Sequence, residues 1–160
     1  MRNVIMTILI IILCCVVGVV CYVFRDHLFQ KGLDSNEVNY KDITEGTKDK
    51  FNVYLFYTDG DQASEGIKSY FNTLSPDVLD AFTLYTFEVS TSEENKTLLS
   101  NVRTLLNDQS EGGTFLVIGN QVLNGYTEND NVKIDTYLNT EMNNMIHYDV
   151  LTYIKSSEQE

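Results

Sequence analysis

Phe51-Asn52-Val53-Tyr54-Leu55-Phe56-Tyr57-Thr58-Asp59-Gly60-Asp61-Gln62-Ala63-Ser64 decides how the rest of the chain must fold. Its first half is short, aromatic and branched without alternation of polarity, the pattern of a strand buried on both faces of a sheet. Thr58-Asp59-Gly60-Asp61 then reads as a turn. Beyond it Ala63, Ile67, Tyr70, Phe71 and Leu74 recur at helical spacing, so an amphipathic helix starts near Asp61. An aspartate there is first of all an N-cap, accepting backbone N–H bonds and complementing the helix dipole.

Downstream the alternation continues. Ser75-Pro76-Asp77 predicts a capped short helix reaching toward Ala81, with proline at its first position. Phe82 to Val89 is a second strand. Ser92-Glu93-Glu94 opens another helix with acids in its first turn, whose buried stripe is Leu98, Leu99, Val102, Leu105 and Leu106. After Gly112-Gly113, the stretch Thr114 to Ile118, Gly119-Asn120 and Gln121 to Tyr126 has the form of a β-hairpin with a two-residue turn. Helices over about 131–142 and 147–156 close the chain. Strands alternating with helices call for parallel pairing, whereas a hairpin is antiparallel, so the fold class is α/β with a mixed sheet and flanking helices. One domain over 51–156 suits this length, with 157–160 as a tail.

Upstream, residues 25–50 are polar and interrupted by Gly32, Ser35, Asn36, Asn39 and Gly46, with a short apolar patch at Val38, Tyr40 and Ile43. They read as a juxtamembrane linker ending in a candidate edge strand. Further upstream, Val4 to Phe24 is apolar and uncharged. As a helix it would span about 31 Å, the thickness of a hydrocarbon layer. It therefore predicts a transmembrane anchor over 1–24. A cleaved signal peptide is the competing reading, but its apolar core is shorter and ends in small residues that are lacking here.

Arg2 and the amino terminus on one side, against Arg25 and Lys31 on the other, do not decide the orientation. Cys14, Cys15 and Cys21 all lie inside the apolar run, where they act as small hydrophobes or as acylation sites, and the rest of the chain has no thiol. That absence favours an extracytoplasmic domain on a single-pass membrane protein. With 11 basic and 23 acidic side chains and a net charge of −12, the body repels phosphate backbones, which argues against a nucleic-acid partner. Its 43% hydrophobic content sets it apart from disordered acidic chains.

The element order and local motifs resemble the thioredoxin family over about residues 51–155, and more closely the membrane-anchored thioredoxin-like proteins of Gram-positive bacteria. Phe56 to Glu65 sits where that family has its strand, its C-x-x-C and the start of its first helix, which puts Asp61 and Ser64 at the cysteine positions. Gly112 to Asn120 sits where the family has a cis-proline, a threonine, a hydrophobic strand and a glycine-containing turn, which puts Gly113 at the proline position. Asn124-Gly125-Tyr126-Thr127 and the closing helices also look like the anchored subfamily.

The resemblance implies a domain that has lost both the nucleophile and the resolving thiol, so no dithiol enzyme is expected. It also implies that the bond before Gly113 is trans, since a cis bond without proline costs about 2.5–4 kcal/mol. The groove of the relatives, where backbone beside the proline pairs with an extended peptide, maps onto Thr58, Asp59, Gly60, Asp61, Gln62, Ala63, Ser64, Gly112, Gly113 and Thr114.

Asp59, Asp61 and Glu65 do not have the spacing of a calcium loop, and no metal or cofactor is implied. Ser64 lacks the glycine elbow of a nucleophile that would use His147 as base. The expected function is therefore a membrane-anchored, redox-inactive module binding an extended peptide or a membrane-protein partner. The alternative is a structural subunit of a transporter or secretion complex, assembled through the helix from Val4 to Phe24.

Overall fold

The computed structural model describes residues 35–158. The predicted anchor, Val4 to Phe24 with its three cysteines, lies outside them, and no helix among the described residues is long and apolar enough to cross a membrane.

The sheet is mixed. Its strands are β1 (Ser35–Asn36), β2 (Phe51–Tyr57), β3 (Phe82–Glu88), β4 (Phe115–Ile118) and β5 (Gln121–Asn124), in the spatial order β1-β3-β2-β4-β5. β2 runs parallel to β3 with Phe51 opposite Phe82, and β1 runs parallel to β3 with Ser35 opposite Leu84. β4 is antiparallel to β2, with Phe56 opposite Phe115, and to β5, with Ile118 opposite Gln121 across the Gly119-Asn120 turn.

Among the described residues five α-helices flank the sheet: α1 (Gln62–Phe71), α2 (Pro76–Asp80), α3 (Glu93–Leu105), α4 (Asn131–Asn143) and α5 (Val150–Ser157). Side chains of a strand alternate between its two faces, and the core divides accordingly. Tyr54 and Phe56 of β2, with Phe87, Phe115 and Val117, pack under Leu98, Leu99 and Val102 of α3 and Val150, Leu151 and Ile154 of α5. Phe51, Val53, Leu55 and Tyr57, with Leu84, Leu116 and Ile118, meet Ile67 and Phe71 of α1 and Ile134 and Leu138 of α4. Every residue of β2 is buried, as a strand covered on both faces requires.

Several boundaries differ from the sequence reading, each for a local reason. The edge strand stands at the start of the 35–50 segment instead of its end, and Tyr40 and Ile43 are buried in the core while Val38 stays 42% exposed. A 3₁₀ turn at Tyr40–Asp42, capped by Asn39, folds the segment onto the domain, and the Lys155 ammonium donates to the Ile43 carbonyl. Leu105 points outward, 42% exposed, so the buried stripe of α3 ends at Val102 and leaves only partly buried Leu106 beyond. α5 starts at Val150 because the Asp149 carboxylate accepts from the Leu151 and Thr152 amides at 3.1 and 3.3 Å, as an N-cap does. β5 ends at Asn124, before Gly125, whose φ is +68°.

Candidate functional site

The carboxyl ends of β2 and β3, the start of α1 and the approach to β4 converge on one small region. Asp61 is the N-cap of α1, and its Oδ2 accepts from the Ser64 amide at 3.0 Å. The Thr114 hydroxyl, next to β4, donates to the same oxygen at 2.6 Å. Ser64 Oγ lies 2.6 Å from Thr114 Oγ1 and 3.1 Å from Asp61 Oδ2. Two hydroxyl protons cannot fill three oxygen contacts at once. The two short distances assign them: Ser64 donates to Thr114, and Thr114 donates to Asp61.

The two hydroxyls are thus buried, Ser64 with 0% and Thr114 with 5% exposure, while the Asp61 carboxylate is half-buried at the groove wall. A hydroxyl so placed presents no oxygen to a solvent-borne substrate. The Thr114 hydroxyl bond, followed by the Ser64 amide, holds the Asp61 carboxyl below the usual carboxylate range.

That shift gives a pH dependence of defined sign. A carboxylate whose folded-state value is depressed stabilises the fold above its unfolded value, about 3.9, and the contribution disappears as pH falls through the folded-state value. The stability gap between the wild-type chain and Asp61→Asn, followed by urea unfolding from pH 7 to pH 2, is therefore expected to be constant near neutrality and to narrow below about pH 4.

On the open side of the cluster lies a shallow groove of about 270 Å³, lined by Thr58, Asp61, Ala63, Gly112, Gly113 and Thr114 together with Glu111, Asn124 and Gly125. Among the described residues no peptide bond is cis, so the bond before Gly113 is trans. Gly112 has φ +126°, a conformation other residues rarely adopt. A Cβ on Gly113 would stand 2.2 Å from Thr58 Oγ1, so the two segments approach closely only because this residue is glycine. Arg103 of α3 holds the loop from behind. Its guanidinium donates to the Gly112 carbonyl at 2.8 Å and lies 4.9 Å from the centre of the Phe115 ring, while its buried Nε has no hydrogen-bond partner among the described residues.

Of the residues predicted for the site, Thr58, Asp61, Ala63, Gly112, Gly113 and Thr114 share this groove, and Ser64 lies buried behind it. Gln62 lines a neighbouring cavity of about 770 Å³ between α1 and residues 126–131, to which Asp61 and Ala63 also contribute. Asp59 and Gly60 form the exposed turn between Thr58 and Asp61. Sequence reasoning missed Glu111 and Arg103, whose roles depend on partners brought by the fold. His147, weighed with Ser64, is held elsewhere, between Glu141 and the Lys48 carbonyl. Among the described residues no group of three or more His, Cys, Asp or Glu side chains could hold a metal ion. No family model matches the chain, and neither the search of curated proteins nor that of solved structures finds a match.

Proposed function

We propose that this chain is a membrane-tethered, thioredoxin-like binding module without dithiol chemistry, whose groove takes an extended peptide segment, free or presented by a membrane-protein partner. The observation that carries the reading is the hydrogen-bonded Asp61–Ser64–Thr114 cluster beside the Gly112–Gly113 backbone. At the positions where the resemblance expects two reactive thiols, the chain has a carboxylate that accepts from Thr114 and the Ser64 amide, and a hydroxyl that donates to Thr114. The cluster stabilises the groove wall and leaves the wall itself free to bind. Gly112 and Gly113 carry no side chains to block an added strand, and beyond the Gly112 carbonyl, which accepts from Arg103, their main-chain groups can pair with it, the mode in which main-chain bonds supply affinity. The uncharged run from Val4 to Phe24 supports the tether.

Random extended peptides displayed against the full chain in lipid nanodiscs provide the test. Ala63 is half-buried and lines both cavities, so Ala63→Phe wedges a ring into the groove without entering the core. Peptides selected on the wild-type chain are expected to bind the A63F chain at least tenfold more weakly, about 1.4 kcal/mol, with an unchanged unfolding midpoint. Equal affinity for both chains would remove this groove as the binding site.

A further inference from the structure

The end of the sheet opposite the groove carries an apolar tip. β2 and β3 start there, at Phe51 and Phe82, and reach the groove end at Tyr57 and Glu88. Met145 and Ile146, adjacent in the loop between α4 and α5, are 78% and 88% exposed, and Met142 at the end of α4 is 40% exposed. Large apolar side chains clustered in solvent mark a contact surface.

The tip is firmly clamped. His147 Nδ1 lies 3.2 Å from Glu141 Oε2 and its Nε2 3.1 Å from the Lys48 carbonyl oxygen, while its ring is 5.3 Å from that of Phe51. Glu141 also accepts from Asn144 Nδ2 at 3.2 Å, and it covers the hairpin turn so closely that a Cβ on Gly119 would stand 2.1 Å from its Oε1. The loop is thereby pinned to the starts of β2 and of the β4–β5 turn. Beside it, the turn closed by Thr47 and Lys50 presents exposed Lys48 and Lys50 on either side of Asp49.

The described residues enter the sheet nearer this same end, at Ser35. β1 runs parallel to β3 with Ser35 opposite Leu84, so the first described residue lies nearer the level of Phe82 and Phe51 than the groove end. β1 and β2 flank β3, which puts that entry two strand spacings, about 10 Å, from β2. Residues 25–34, between the apolar run and β1, extend to about 35 Å at most. A bilayer holding Val4 to Phe24 is therefore within reach of this end of the domain, whatever else the groove binds.

We propose that the tip docks on the lipid surface of the membrane that holds the chain, with Met145 and Ile146 entering the interfacial layer and Lys48 and Lys50 reaching lipid phosphates. The groove then faces away from the bilayer. Apolar side chains flanked by long cationic ones suit that layer, since a lysine stem packs on hydrocarbon while its ammonium stays at the headgroups. The acidic body disfavours an anionic surface, so the lipid is zwitterionic. This inference rests on the tether proposed above.

The chain contains no tryptophan, so a single introduced indole reports its own depth. The full chain carrying Ile146→Trp or Gln62→Trp is reconstituted in phosphatidylcholine vesicles containing doxyl-labelled lipid. The I146W chain is expected to show blue-shifted emission and quenching several-fold stronger than the Q62W chain. Absent or equal quenching in a chain that resists carbonate extraction overturns the docking, assigns the tip to a protein partner or to solvent, and leaves the tether standing. A chain that carbonate removes from the vesicles overturns both.

Discussion

Replacing Asp149 by alanine is expected to cost the fold about 3–5 kcal/mol, the range for breaking a buried charged hydrogen-bond network. Asp149 is 5% exposed, and its carboxylate accepts from Asn52 Nδ2 at 2.8 Å, from the Tyr54 hydroxyl at 2.7 Å and from the two capped amides of α5. Asn52 in turn donates to the Thr44 carbonyl at 2.9 Å. One side chain therefore ties β2, α5 and the 35–50 segment together.

Truncation removes a helix cap, worth about 1 kcal/mol, and strands the Tyr54 hydroxyl and an Asn52 hydrogen in the core, at about 1–3 kcal/mol for each orphaned group. Burial, and then the Asp149 charge, push the Tyr54 hydroxyl well above the usual phenol range, so it stays a donor at any ordinary pH. Tyr54→Phe removes a donor and leaves the carboxylate three others, so it is expected to cost only about 1–2 kcal/mol. Urea midpoints of the full chain in mild detergent measure both, and an Asp149→Ala loss no larger than that of Tyr54→Phe would contradict the network.

The second large effect is expected at the candidate site. Asp61→Ala removes the N-cap of α1, about 1–2 kcal/mol, and the acceptor of the Thr114 hydroxyl, another 1–3 kcal/mol for a buried donor left unpaired. The expected total is about 2–5 kcal/mol in the same urea measurement, a large share of the stability of an ordinary domain. Thr114→Val should cost less, because Ser64 Oγ can then turn to Asp61, 3.1 Å away. If Asp61→Ala proved as mild as an exposed cap substitution, below about 1 kcal/mol, the Asp61–Ser64–Thr114 cluster would not be what holds the groove wall.

How much of this was legible in the sequence depended on how local each cause was. β2 was legible because its run of buried residues is continuous, and the hairpin because Gly119-Asn120 interrupts two apolar stretches. Asp61 as a cap was legible because a helix start is a local event. The contact of Ser64 with Thr114 spans 50 positions, and those of Asp149 with Asn52 and Tyr54 span 97 and 95, so no periodicity signals them. Tyr40 and Ile43 looked like an isolated patch in a linker because two buried side chains leave no pattern; only α5 and its Lys155 give them a place. Met145 and Ile146 fall between the two predicted closing helices, and an apolar pair in sequence does not say which side faces water.

Amide hydrogen exchange on the full chain, with and without a peptide selected on it, tests the central claim most directly. Strand addition at the groove predicts that at least one of the Gly112, Gly113 and Thr114 amides slows markedly when the peptide is bound, since the amides of an extended segment point alternately to its two sides, while the Met145–Ile146 loop is unchanged. Peptide binding that leaves those three amides exchanging as in the free chain would contradict the account.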